Sequence, residues 1–235
     1  MKFDLVIEGI TIEVTQKPIR TLRLTVRPPH GDVRISAPHK VDLETIRNFA
    51  LSKVDWIRKH QTKLKSRPWS SPLKYVNGEE HWYLGKKLPL EIAETKGKAG
   101  VSIVEIPETG YCIMLHVRRG TSKKKCRDLL EEWYRLQLKE IIPAMVKKHE
   151  TAMGVHAEEW IVKKMKTKWG TCNIIQKKIR LNLELSKKPI AFIEHVVVHE
   201  LVHLLERKHN ARFKGLMDLY LPGWRSMHEQ GEIDE

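Results

Sequence analysis

Glu194-His195-Val196-Val197-Val198-His199-Glu200-Leu201-Val202-His203-Leu204-Leu205 is the stretch on which the reading of this chain turns. Its apolar residues recur at helical spacing, and the helix they predict contains the pattern H-E-x-x-H. Four residues are slightly more than one turn, so His199 and His203 share a face, about 6 Å apart. Imidazoles so placed can each reach a zinc ion at about 2.0–2.1 Å. Glu200 flanks that face, where a carboxylate can hydrogen-bond a water without ligating the ion. Val197, Leu201, Leu204 and Leu205 anchor the remaining surface in a core. An ordinary helix with two surface histidines is the plain alternative, and the apolar company argues against it.

A zinc site that keeps one position for water takes three protein ligands. His209 stands ten residues after His199 and six after His203. On an unbroken helix it would lie about 9 Å further along the axis than His203. Ligation therefore requires the helix to end between Leu205 and His209. Arg207 and Lys208 suit a helix C-terminus, and Asn210 can cap a new helix carrying Phe213, Leu216, Met217 and Tyr220. Glu206 departs from the longer pattern H-E-x-x-H-x-x-G-x-x-H, which has a turn-forming glycine there, so Asp218 is kept as a reserve ligand. His195, one turn before His199, is read as a supporting or solvent-facing residue.

Upstream, Phe3 to Ile7, Ile10 to Val14, Leu22 to Val26 and Val33 to Ala37 alternate as strands, with turn chemistry at Pro28-Pro29-His30-Gly31-Asp32. Asp42 is a predicted N-cap for one helix through Ile46, Phe49, Ala50, Ile57 and Leu64. Arg67 to Pro72 reads as a linker. Strands follow at 81–84, 88–92, 101–106 and 113–117, and then a helix capped by Thr121 or Ser122, which Pro143 should kink or end. Gly154 breaks the pattern, and Trp160–Lys164 and Ile179–Leu183 are short strand candidates. The expected division is a β-rich region with one helix, residues 1–120, before a catalytic region, 121–235.

Composition narrows the class. At 41% hydrophobic and 31% charged the chain reads as a soluble globular protein. No apolar run approaches the roughly 20 residues that cross a bilayer, so no membrane partner is expected. The N-terminus lacks the features of a signal peptide, and a cytoplasmic location is the expectation. Cys112, Cys126 and Cys172 are odd in number and widely spaced, which suggests buried thiols rather than disulfides. A net charge of +14, concentrated locally at Lys123–Lys125 and Lys163–Lys168, leaves nucleotide or nucleic-acid partners open.

Lys166-Thr167-Lys168-Trp169-Gly170-Thr171-Cys172-Asn173, Ile179-Arg180-Leu181-Asn182-Leu183-Glu184-Leu185, and Val197 through Lys208-His209-Asn210 to Phe213 together resemble the YgjP-like metallopeptidase family. That family is related to SprT-type and other zincin-like proteins. Lys53-Val54-Asp55-Trp56-Ile57 extends the likeness toward the N-terminus. The resemblance implies an α+β fold with a zincin-like catalytic region, metal ligands His199, His203 and His209, and Glu200 as catalytic acid/base. Thr171 stands where the family has Ser, and Lys168 where Arg is common. The strand bearing Trp169 is placed beside the cleft, with simple core packing as its alternative role; Lys168 and Asn182 are further cleft candidates. For an oxyanion donor, Lys168, Arg212 and Tyr220 are considered.

The expected chemistry is hydrolysis of a protein or peptide by a water that Zn2+, or another divalent ion, activates for Glu200. Two other readings stay open. One is metal-dependent hydrolysis of a nucleoside triphosphate, against which stands the lack of a Gly-rich phosphate loop. The other is a DNA-associated protease or binding protein of the SprT type.

Overall fold

The computed structural model describes residues 1–27, 30–66, 73–107 and 110–231. Its fold is mixed α and β, and the chain divides into two compact units, Met1–Pro72 and Leu73–Glu235.

In the first unit β1 (Lys2–Ile7), β2 (Ile10–Lys17), β3 (Arg23–Arg27) and β4 (Asp32–Pro38) form a sheet in the order β1-β2-β4-β3. The β2–β4 pair is parallel and the others antiparallel. The alternation seen in the sequence is the pleat: Ile12, Val14, Val33, Ile35 and Ala37 are buried on one face. Ile46, Ala50, Val54 and Ile57 close over that face from two helices, α1 (Leu43–Leu51) and α2 (Val54–Ser66). Glu8 and Gly9 both have positive φ (46° and 78°), as a two-residue hairpin turn matched to strand twist requires. Asp42 caps α1 as expected, its carboxylate accepting from the Thr45 amide at 2.7 Å. The single helix expected beyond it is two, because the chain turns at Ser52, whose hydroxyl donates to the Phe49 carbonyl. Pro28, Pro29 and the linker expected at 67–72 lie outside the described residues.

The second unit begins with the same strand order. β5 (Glu79–Tyr83), β6 (Lys86–Glu94), β7 (Gly100–Ile106) and β8 (Gly110–Val117) run β5-β6-β8-β7, again with a parallel middle pair. Ser122 then caps α3 (Lys123–Met153), its hydroxyl accepting from the Lys125 amide. α3 continues through Pro143, where a kink or an end was expected. An interior proline costs about 3 kcal/mol, and burial of Leu138, Ile142, Met145 and Val146 on either side of it offsets that cost. Gly154, at φ 66°, ends the helix.

A small sheet follows, in the order β10 (Gly170–Asn173), β11 (Lys178–Asn182), β9 (Glu159–Lys163). After a 3-10 turn at Leu183–Lys187 come α4 (Ile190–Val202), α5 (Ala211–Tyr220) and α6 (Trp224–Gly231). α4 is buried on every side from His195 to Val202 and packs on α3, α5, α6, β10 and β11. A helix apolar all round belongs at the centre of a core. Its start is clamped by the β5–β6 turn: the Leu84 amide donates to the Ser186 carbonyl at 2.8 Å and the Gly85 amide to Lys187 at 3.2 Å. A Cβ on Gly85 would lie 2.8 Å from Pro189 Cγ, so only glycine fits there. No helix among the described residues is long and apolar enough to cross a membrane.

The two units part at Pro72–Leu73 rather than between 120 and 121. Leu90, Ile113, Leu115 and Val117 of the second sheet share one core with Leu130, Leu138 and Val196–Val198. A fragment comprising Leu73–Glu235 should therefore unfold cooperatively in urea. One starting at Thr121, stripped of Leu90, Ile113 and Leu115, should show no cooperative transition by circular dichroism. A folded 121–235 fragment would move the boundary back.

Candidate metal centre

α4 ends at Val202, so its C-cap is His203 itself, and the chain reverses immediately afterwards. Two amides close the reversal: Leu205 and Glu206 both donate to the Val202 carbonyl at 2.9 Å. Glu206 is not among the residues with positive φ, which is why this turn does without the glycine of the longer motif. Asn210 then caps α5, its side-chain oxygen accepting from the Phe213 amide at 3.0 Å. The reversal carries His209 back over α4.

The three rings converge. His209 Nε2 lies 3.1 Å from His199 Nε2 and 3.1 Å from His203 Nε2. Ligands at 2.0–2.1 Å around a tetrahedral ion stand about 3.3–3.4 Å apart, so the spacing fits a small divalent cation bound by His199, His203 and His209. His203 Nδ1 is 3.1 Å from the Glu206 carbonyl, which can only accept. The ring therefore carries its proton on Nδ1 and turns a bare Nε2 inward. Burial, followed by the like charges of His209 and Lys168, holds His203 below the usual histidine range despite hydrogen bonds to backbone that oppose this. Phe213, which is buried, floors the cluster, its ring centroid 5.0, 4.9 and 4.7 Å from those of His199, His203 and His209.

Glu200 is 4% exposed, and its Oε2 meets no hydrogen-bond partner among the described residues. Burial pushes its carboxyl up to about 8, with the Lys168 cation pulling the other way. Strand β10 lies directly on it: a Cβ on Gly170 would fall 2.4 Å from Glu200 Oε1. The surrounding cleft, of about 420 Å3, is lined by Lys168, Trp169, Cys172 and Arg207 as well as by Glu200 and the three histidines.

Other candidates fall into distinct places. Trp169 has both roles weighed for it, lining the cleft while meeting Phe192 edge-on at 5.3 Å within the core. Asn182 does not line the cleft. It is buried and ties the preceding loop, donating to the carbonyls of Met165 (3.1 Å) and Lys168 (2.7 Å) and accepting from the Met165 amide. His195 stacks on Trp224 with its ring 6.2 Å from that of His199, and stands outside the cluster of three. Asp218 stands outside the cluster of three: Trp224 Nε1 donates to it at 2.8 Å and Arg225 pairs with it. Arg212 and Tyr220 do not line the cleft; Arg212 faces Glu206, and Tyr220 packs on the core. Sequence reasoning missed Arg207, which it took only for a helix-end charge, and the part of Gly170, whose signal was its place beside Trp169.

Three imidazoles meeting beside a buried carboxylate, in a cleft open to solvent, define a candidate hydrolytic metal centre. The chain belongs to the YgjP-like metallopeptidase family, whose profile, described as YgjP-like, metallopeptidase domain, matches residues 20–230. No curated protein matches it. Among solved structures it is similar to the metallopeptidase zymogen of Pyrococcus abyssi abylysin, with 14% identity and a TM-score of 0.36 over 38% of this chain and 90% of that one.

Gly170→Ala isolates the contact between β10 and Glu200. Overpacking of this kind costs about 1–3 kcal/mol, to be read from urea denaturation. Affinity for a divalent cation should change far less, because the three atoms nearest the added methyl all belong to Glu200. A variant as stable as the parent would refute so close an approach.

Proposed function

We propose that this chain is a zinc-dependent metallopeptidase with a zincin-like catalytic region within the unit Leu73–Glu235, in which His199, His203 and His209 hold the ion and Glu200 is the general base. The observation that carries this reading is the approach of three imidazole Nε2 atoms, 3.1 Å from His209 to each of the others, next to a carboxylate only 4% exposed. Membership of a metallopeptidase family agrees with it. Imidazole donors suit zinc, though copper, nickel and iron are also within their range.

When bound, the cation supplies Lewis acidity, bringing a coordinated water toward a pKa near 7 and polarising the scissile carbonyl. Glu200 accepts the proton of the attacking water and returns it to the leaving amine. Burial alone raises its proton affinity, while a bound cation would favour the ionised form that accepts the proton. The hydrogen bond from His203 Nδ1 to the Glu206 carbonyl reserves Nε2 for the ion. β10 is an edge strand of its sheet and lines the cleft. An extended peptide can pair its backbone with that edge and bring one amide bond past Glu200. We also propose a cytoplasmic setting, which three free thiols support.

The test combines two variants. Elemental analysis should find one zinc per chain in the parent and in Glu200→Gln, and none in His203→Ala. Peptide hydrolysis should fall roughly 10²–10⁴-fold in Glu200→Gln. Undiminished hydrolysis in that variant would remove Glu200 from the mechanism, and undiminished zinc in His203→Ala would remove the site.

A further inference from the structure

Two cations line the metal cleft, one from the loop before β10 and one from the reversal after α4. Lys168 precedes β10, and its backbone is pinned by the 2.7 Å hydrogen bond that Asn182 donates to its carbonyl. Arg207 sits in the reversal between His203 and His209. Both are exposed. Against them the lining offers one acid, Glu200, which is buried. Neither cation forms a salt bridge with a carboxylate among the described residues, whereas Lys148, Lys164, Lys187, Arg212 and Arg225 all do. Lys168 is close enough for its charge to act on both Glu200 and His203.

A cleft with this lining favours an anion at its mouth. We propose that Lys168 and Arg207 select peptides carrying carboxylate side chains next to the scissile bond, making acidic peptides the preferred substrate class. This rests on the peptidase reading for its chemistry but concerns binding, and the two can be tested apart. The flexible, exposed heads of Lys168 and Arg207 suit a carboxylate that approaches from solvent. They also draw acidic chains toward the cleft at long range, an attraction that salt screens.

The experiment uses the full chain loaded with zinc and carrying Glu200→Gln, so that a peptide binds without being consumed. Two fluorescent peptides differ only in having Glu or Gln at the residues flanking the central bond, and binding is read by anisotropy. Exposed charge pairs are individually weak, so the Glu peptide should bind about five- to tenfold more tightly than the Gln peptide. Adding Lys168→Gln and Arg207→Gln should bring the ratio to about one. Adding Lys123→Gln and Lys124→Gln, on the exposed start of α3, should leave it unchanged. A ratio near one at the outset, a ratio that survives loss of Lys168 and Arg207, or an equal fall in the α3 control would each overturn the proposal. So would ATP binding more tightly than the Glu peptide in a manner abolished by the same two substitutions, since the pair would then be a phosphate site. If the parent cleaves neither peptide while the binding preference holds, the peptidase reading fails and only the selection of acidic peptides by Lys168 and Arg207 as ligands stands.

Discussion

Three imidazole nitrogens held within about 3 Å of a common point are an electrostatic demand that the rest of the second unit has to meet. One of those nitrogens is a bare lone pair, because the His203 proton is committed to the Glu206 carbonyl. Lone pairs brought this close repel unless a proton or a cation lies between them, and a divalent cation meets that condition for all three rings with the donors already in place. Such an arrangement persists only if the backbone on both sides of it is rigid. The reversal after Val202 supplies the geometry, and α4, buried along its whole inner length, supplies the rigidity.

The supports are layered. Phe213 lies under all three rings, so the same aromatic that buries α5 also limits how far the rings can tilt. Trp224 stacks on His195 one turn earlier on α4, and Asp218 holds Trp224 through its indole nitrogen. On the other side β10 approaches Glu200 so closely that a Cβ at position 170 would fall 2.4 Å from its Oε1. The carboxylate is thus held from the flank as tightly as the imidazoles are from below, and its high proton affinity is a consequence of that enclosure.

Much of this was legible from residue spacing. The metal helix followed from apolar periodicity, and the need for a chain reversal before His209 followed from the rise per residue alone. Strands β1 to β8 followed from alternation. What stayed hidden depended on partners distant in sequence or on backbone angles. Asp218 looked available because nothing in the sequence ties it to Trp224 and Arg225, six and seven residues away. Glu206 looked like a defect because the residue type does not reveal that the turn avoids left-handed backbone. The break between α1 and α2 carries neither glycine nor proline. The unit boundary was misplaced because an amphipathic helix such as α3 shows that it has a buried face without showing what covers it.

That last point explains how the site is mounted. The strand order β1-β2-β4-β3 and its counterpart β5-β6-β8-β7 are the same four-strand module, each followed by a helix whose N-cap oxygen accepts from the amide three residues on. The modules diverge in that helix. α1 has 9 residues and closes on its own sheet together with α2, whereas α3 has 31. At about 1.5 Å per residue, α3 is long enough to cover its sheet near Cys126 and Leu130 and still reach α4 near its far end. There Lys148 and His149 both meet Glu194 at 2.8 Å, one turn and a half before His199. A shorter helix would close the sheet and leave α4 unsupported on that side. The length of α3 is therefore what converts a sheet module into a mount for the metal helix.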